Sequence, residues 1–202
     1  SVGLAVMPAL ALALMRLSRN KIVRNLSGAY IAVFRSTPMM VQLYIIFYGL
    51  FSVIKIPSVV ILGFIDLSRF IPGVVALALN SSAYVAEIIR AGIQAVDQGQ
   101  MEGGRSLGLS YVQTMKDIIL PQAIKNILPA LGNEFIVLVK ETSILGYVAI
   151  VDLTKVSDFV ISRIFEALAP LLGTALIYYV IVKILTLGLN ALERRLRQSD
   201  RR

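Results

Sequence analysis

The chain has 202 residues, 57% hydrophobic and only 16% charged, with a mean hydropathy of +0.78. A soluble domain usually carries about 25% charged residues, so this chain has too little polar surface to cover itself in water. Its formal charge is +8, but the basic residues gather at the ends of apolar runs and form no groove-like patch with exposed aromatics, which argues against nucleic acid. Cysteine, histidine and tryptophan are absent. That excludes disulfides, thiolate and imidazole metal sites, thiol nucleophiles and a Ser-His-Asp triad, and no catalytic residue or metal site is expected.

A membrane-crossing helix needs about 20 mostly apolar residues. The first apolar run, from Ser1 to Met15, stops at Arg16. It is short for a span and has no initiator Met, so the chain is expected to begin inside its first helix. No basic segment precedes it, as a cleaved signal peptide would require. Nineteen uncharged residues lie between Arg35 and Lys55, and 17 more between Arg69 and Glu87. Ile118 to Val139 is apolar except for Lys125 and Glu134, and Ala167 to Leu192 is broken only by Lys183. These runs predict an all-α integral membrane protein of about five transmembrane helices, forming a single domain over 1–202.

Loop charges orient the spans. Arg16, Arg19, Lys21 and Arg24 crowd the first loop without an acid, and five arginines follow Leu192. The stretch 141–166 instead carries Glu141, Asp152, Asp158 and Glu166 against Lys155 and Arg163. The excess of Lys and Arg places the first loop and the C-terminus in the cytoplasm. Alternation then puts the N-terminus, 55–69 and 141–166 outside, and the segment around 96–117 inside.

That inner segment, VDQGQMEGGRSLGLSYVQTMKDIILP (96–121), is too polar for lipid. Leu107, Leu109, Tyr111, Val112 and Met115 predict an apolar stripe on short helices. Gly103, Gly104 and Gly108 lower helix propensity by up to about 1 kcal/mol each, a cost that a docking element justifies by letting another backbone approach. Residue types alone leave a second reading, in which the segment caps its own bundle.

Glu102, Gly103, Gly104, Gly108, Ile118, Leu120 and Pro121 stand at the spacing of the cytoplasmic motif of importer permeases: Glu-Ala-Ala, three residues, Gly, nine residues, Ile, one residue, Leu-Pro. Gly-Gly replaces Ala-Ala, which keeps small size and loosens the helix. The phrases YIAVFRSTPMMVQLYIIFYGL (30–50), SSAYVAEIIRAGIQAVDQGQ (81–100), ILPQAIKNILPALGNEFIVLVKETSIL (119–145) and LERRLR (192–197) follow in order. Ser36 stands where the family phrase reads Arg-Gly-Thr-Pro. Over nearly its whole length the chain resembles the permease subunits of polar amino acid ABC importers, the histidine/glutamine/arginine permease family.

The resemblance implies the type I importer permease fold in a prokaryotic cytoplasmic (inner) membrane. It also implies a coupling helix seated in a groove of a separate ATPase, with Glu102 and Arg105 as charged anchors. ATP-driven closure of two ATPase subunits would switch the path from inward- to outward-facing. The expected partners are those ATPase subunits, a second permease copy or paralogue, an extracytoplasmic amino-acid-binding protein, and membrane lipid. No G-x-x-x-x-G-K-[ST] phosphate loop occurs in the chain; ATP and Mg are expected on the partner, with no cofactor on this chain.

Polar residues inside spans need a reason. Asn80, Tyr84 and Glu87 share one helix face, with Ser81 beside them. They read either as a translocation path for ammonium and carboxylate groups or as interhelical hydrogen bonding. Glu87 and Arg90, three apart, predict a structural ion pair. Asp152 and Asp158 read either as attractors of a cationic amino acid or as a solvated loop, within a segment that is re-entrant or interfacial. Arg35, Thr37 and Pro38 open the second span, and Pro121 and Pro129 predict bends in the fourth. Two other classes remain. A stand-alone secondary transporter or channel would favour internal repeats, which are not evident, and an intramembrane enzyme would need a carboxylate pair at matched depth.

Overall fold

The computed structural model describes residues 2–63 and 65–198. Its helices are α1 (Val2–Arg16), α2 (Lys21–Ser36), α3 (Met39–Tyr44), α4 (Phe51–Val53), α5 (Leu67–Gln94), α6 (Gln98–Ser106), α7 (Tyr111–Thr114), α8 (Leu120–Glu141), α9 (Leu153–Ile164) and α10 (Leu168–Gln198). A π turn, Ile45–Leu50, joins α3 to α4, and a second, Met115–Ile119, joins α7 to α8. A 3-10 segment, Thr142–Val148, follows α8. Ahead of α5, Val60–Ile61 and Ile65–Asp66 form a small antiparallel hairpin (β1 and β2).

Among the described residues the apolar runs fall on α1, on α3 with its π turn and α4, on α5, on α8 and on α10. Among the described residues, two helices are long and apolar enough to cross a membrane on their own, Leu67–Gln94 and Leu168–Arg194. The pair Lys21–Ser36 and Met39–Val53, bent by 108°, qualifies as a third if taken as one span. By length and composition alone the other two fall short of that test: α1 has 15 residues, and α8 carries Lys125, Glu134, Lys140 and Glu141. The basic tail invoked for orientation includes Arg201 and Arg202, which lie outside the described residues.

Helix α5 is the centre, packed by α1, α2, α3 and α8. Its small residues make this possible. Ala83 and Ala86 meet Ala9 and Ala13 of α1, so two backbones approach closely in the way small residues permit in membranes. Further out, Ala76 and Leu77 pack with Met39, Leu43, Leu138 and Leu145. Near the other end Val96, Ile119, Ala123 and Ile127 form a third cluster. Helix α10 rests on α8 and α9, and no residue of its apolar span is buried within the chain.

The break between α2 and α3 follows from Pro38. A residue before proline is pushed out of the helical region, and Thr37 is extended at φ −112°, ψ 143°. Pro121 behaves differently. It stands in the first turn of α8, and the π turn Met115–Ile119 precedes it. The widened turn relieves the clash a proline makes with the preceding turn.

Candidate functional site

The cytoplasmic-motif segment folds as a helical hairpin, α6 to α7, held by local chemistry. Asp97 caps α6, accepting the Gly99 amide at 2.6 Å. At its end Gly108 takes φ +86°. The Leu109 amide then donates to the Gly104 carbonyl at 3.2 Å and the Gly108 amide to the Arg105 carbonyl at 3.1 Å, the double bond of a Schellman ending. Ser110 and Gln113 close a capping box at the start of α7. Thr114, fully buried, donates its hydroxyl to the Ser110 carbonyl at 3.0 Å.

The three glycines therefore do three different things. Gly104 is the seat: a Cβ there would stand 2.6 Å from Thr114 Cγ2 and 3.0 Å from Ile118 Cδ1. Gly108 supplies the left-handed turn, a conformation other residues adopt at a cost. Gly103 sits in ordinary helix and faces open space, with nothing within 4 Å of where a Cβ would stand. Gly104 and Gly108 thus serve the hairpin itself, and Gly103 has no such task within the chain. Arg105, expected as an anchor, donates to the Leu109 carbonyl at 3.0 Å. Glu102 is exposed and makes no ion pair or hydrogen bond among the described residues. Leu107 is 84% exposed and Val112 71%, with Tyr111 also outward, while Leu109 and Met115 are half-buried. The hairpin presents a rigid, partly apolar surface with one unspent carboxylate.

Inside the helical bundle the predicted polar face of α5 divides. Asn80 is buried and donates to Gln42 Oε1 at 2.8 Å. Gln42 in turn donates to the carbonyls of Phe34 (2.7 Å) and Thr37 (2.9 Å) and to the Thr37 hydroxyl (2.7 Å). Asn80 and Gln42 thereby occupy the backbone acceptors left at the α2–α3 break, as buried carbonyls require. Ser81, fully buried, donates to Glu134 Oε1 at 3.4 Å. Tyr84 lies beneath the Arg35 guanidinium, 5.4 Å from its ring centroid. Glu87 pairs with Arg90, whose Nε donates to Oε2 at 2.9 Å, and Arg35 stands 3.8 Å away. The Glu87–Arg90 pair is as expected from the spacing. Sequence reasoning missed Gln42 as a partner, although it is a polar residue in a charge-free run, and missed that Ser81 meets Glu134, 53 residues away.

At the opposite end, Asp66 caps α5, accepting from the Ser68 amide at 3.0 Å. The hydrogen bond from the Ser68 hydroxyl holds its carboxyl below the usual carboxylate range against the opposing effect of desolvation. Asp152 caps α9 through the Lys155 amide at 2.8 Å, so it is a built-in helix start rather than a freely solvated loop acid. Its second oxygen, Oδ2, is buried without a partner, as is Ser157 Oγ. Asp158 is exposed and pairs with Lys155 at 3.4 Å. A cavity of 360 Å³ opens here, lined by Ser143, Gly146, Tyr147, Thr154, Lys155 and Asp158. Ala149 and Phe165 take left-handed backbone (φ 58° and 56°) at the two bends of the segment.

Comparison with known proteins bears on the family and the fold. The family model for the binding-protein-dependent transport system inner membrane component matches residues 2–198. The arginine transport system permease protein ArtQ of Bacillus subtilis is 46% identical over 171 residues, covering 85% of this chain and 74% of that protein. The probable glutamine ABC transporter permease protein GlnM of the same organism is 42% identical over 189 residues, covering 94% and 83%. Among solved structures, an amino acid ABC transporter crystallised with histidines aligns with a TM-score of 0.86 at 46% identity, over 96% of this chain and 86% of that one. The MetNI methionine ABC transporter, inward facing, aligns with a TM-score of 0.76 at 16% identity, over 96% and 88%, which speaks to the fold alone. The architecture is the type I ABC importer permease fold, and the chain belongs to the inner membrane components of binding-protein-dependent transport systems.

Proposed function

We propose that this chain lines the translocation path of an importer for polar amino acids, basic ones among them, and passes the work of ATP hydrolysis to that path through the α6–α7 hairpin. In this family hydrolysis is carried by a separate ATPase subunit. The observation that carries the reading is the hairpin's outward face: Glu102 without a partner, Gly103 open, and Leu107, Tyr111 and Val112 exposed on a segment locked by its own caps. A surface so rigid and so apolar, at the end of a membrane helix, is built to be covered. The hairpin and the C-terminus face the cytoplasm and the N-terminus the outside. An extracytoplasmic binding protein delivers substrate, and a second copy or paralogue completes the path.

The test is ATP hydrolysis in proteoliposomes by the chain together with its ATPase, with a binding protein loaded with arginine or with glutamine. Loaded binding protein is expected to stimulate hydrolysis. Glu102→Ala is expected to lower that stimulation about tenfold, the equivalent of a charged hydrogen bond of about 1.4 kcal/mol. Substrate flux driven by an ion gradient alone, with no ATPase associated, would instead establish a secondary transporter.

Support for basic substrates comes from the outer cavity. Asp158 lines it, and Asp152 Oδ1 lies against Gly146, which lines it too; two carboxylates at one cavity favour a cation there. Asp152→Asn keeps the helix cap, which Asn also provides. Its expected effect is a drop of about tenfold in the preference for arginine over glutamine, near 1.4 kcal/mol, measured as competing uptake. Equal loss for both substrates would assign Asp152 to the cap alone.

A further inference from the structure

Where α1 ends, a cavity of 410 Å³ lies between α1, α2 and α5, lined chiefly by Arg16, Gly28, Arg35, Ser36, Tyr84 and Glu87. From its chemistry we infer that this cavity binds the phosphate headgroup of an anionic phospholipid, independently of which substrate the path carries.

The charges set the sign of the ligand. Two guanidiniums, Arg16 and Arg35, line the cavity with Glu87 as its single carboxylate, and Arg90, outside the lining, pairs with Glu87. Glu87 spends both oxygens on Arg90, and Arg35 reaches it only at 3.8 Å. Arg16 has no carboxylate within ion-pair distance among the described residues; its Nη1 donates to the Arg24 carbonyl at 3.4 Å. Gly28 makes its placement possible, because a Cβ there would stand 2.9 Å from Arg16 Nη1. From Arg16 through Arg35 the sequence holds five basic residues and no acid. The pocket therefore keeps an uncompensated positive charge.

Helix α2 decides between a lipid and a soluble anion. Gly28, Ala32, Arg35 and Ser36 line the cavity from one face. Ile22, Leu26 and Val33 stand exposed in a separate apolar stripe, at 77%, 65% and 58%. A helix with a basic face and an exposed apolar face lies in the membrane interface, with acyl chains along one side and headgroups at the other. Basic pockets between membrane helices hold anionic headgroups for the same reason. A free phosphate would use the arginines and leave the stripe without a role.

The experiment is native mass spectrometry of the full chain, released from nanodiscs of phosphatidylglycerol or of phosphatidylcholine. Phosphatidylglycerol is expected to remain bound through activation that strips phosphatidylcholine. Arg16→Gln and Arg35→Gln should each lower its retention about fivefold, near 1 kcal/mol per basic residue. Arg16→Lys, which keeps the charge, and Arg69→Gln, at the other end of α5, should each retain the lipid as the parent does. Equal retention of both lipids, unchanged retention in the two glutamine variants, or an equal fall in Arg69→Gln would overturn the site. Displacement of the lipid by inorganic phosphate would overturn the lipid assignment in favour of a soluble anion.

Discussion

Gly104→Ala is expected to loosen the α6–α7 hairpin on the helix beneath it and to lower ATP-coupled transport while the chain still inserts in the membrane, because Thr114 here fills the space that the family motif leaves for Ala. The new Cβ would stand 2.6 Å from Thr114 Cγ2. Thr114 cannot easily yield: it is fully buried and its hydroxyl is bound to the Ser110 carbonyl. Forcing a methyl into such packing costs about 1–3 kcal/mol, a large share of what holds one short hairpin. The readouts are ATPase co-purification and protease cleavage within 98–112. Two companions locate the cause. Thr114→Ser removes the clashing Cγ2 and should restore coupling in the double variant. Gly103→Ala meets nothing within the chain, so any coupling it loses reports contact with the partner. Unaltered co-purification and cleavage in Gly104→Ala would show that the seat is dispensable.

The second large effect concerns Asn80. Asn80→Ala is expected to lower thermal stability in detergent by about 1–3 kcal/mol, since Gln42 Oε1 loses its buried donor. Substrate preference should not change, because the Asn80 donors are committed to Gln42 and to the Phe34 carbonyl. Gln42→Leu should be at least as damaging, exposing the Phe34 and Thr37 carbonyls at the α2–α3 break. A double-variant cycle should give a coupling of about 1 kcal/mol or more, the range for residues in one network. Altered preference with unchanged unfolding would return Asn80 to the substrate path.

These two cases mark what was readable in the sequence and what was not. Apolar runs between charges located α1, α5, α8 and α10, because hydropathy is a property of the stretch itself, but not α2, which carries Lys21, Arg24 and Arg35. Glu87 and Arg90 were legible as a pair because three residues along a helix is a fixed distance. The glycines of the hairpin were not separable, since all three lack a side chain. Only φ at Gly108 and the neighbour over Gly104 distinguish turn from seat. Asn80 and Ser81 looked alike on α5, yet their partners lie 38 and 53 residues away on different helices. Such pairings depend on which helices pack together, and periodicity within one helix carries no information about that. Asp152 could have been read as a cap from its place before Leu153 and Lys155, but its unpartnered oxygen depends on the fold around it.

The helical path from Tyr111 to Glu141 is unbroken: α7, the π turn and α8 run on without a loop. At 1.5 Å per residue, 31 residues make a rod of about 46 Å, longer than the roughly 30 Å of a bilayer's hydrocarbon. The path begins at the capping box of the hairpin and ends at the 3-10 segment beside the cavity lined by Ser143 and Asp158, with Glu134 along its length. A tilt imposed at one end is carried along continuous helical backbone, with Pro129 as the one proline inside α8 where it can bend. Helical continuity, rather than a relay of side-chain contacts, then links the hairpin to the far end of α8.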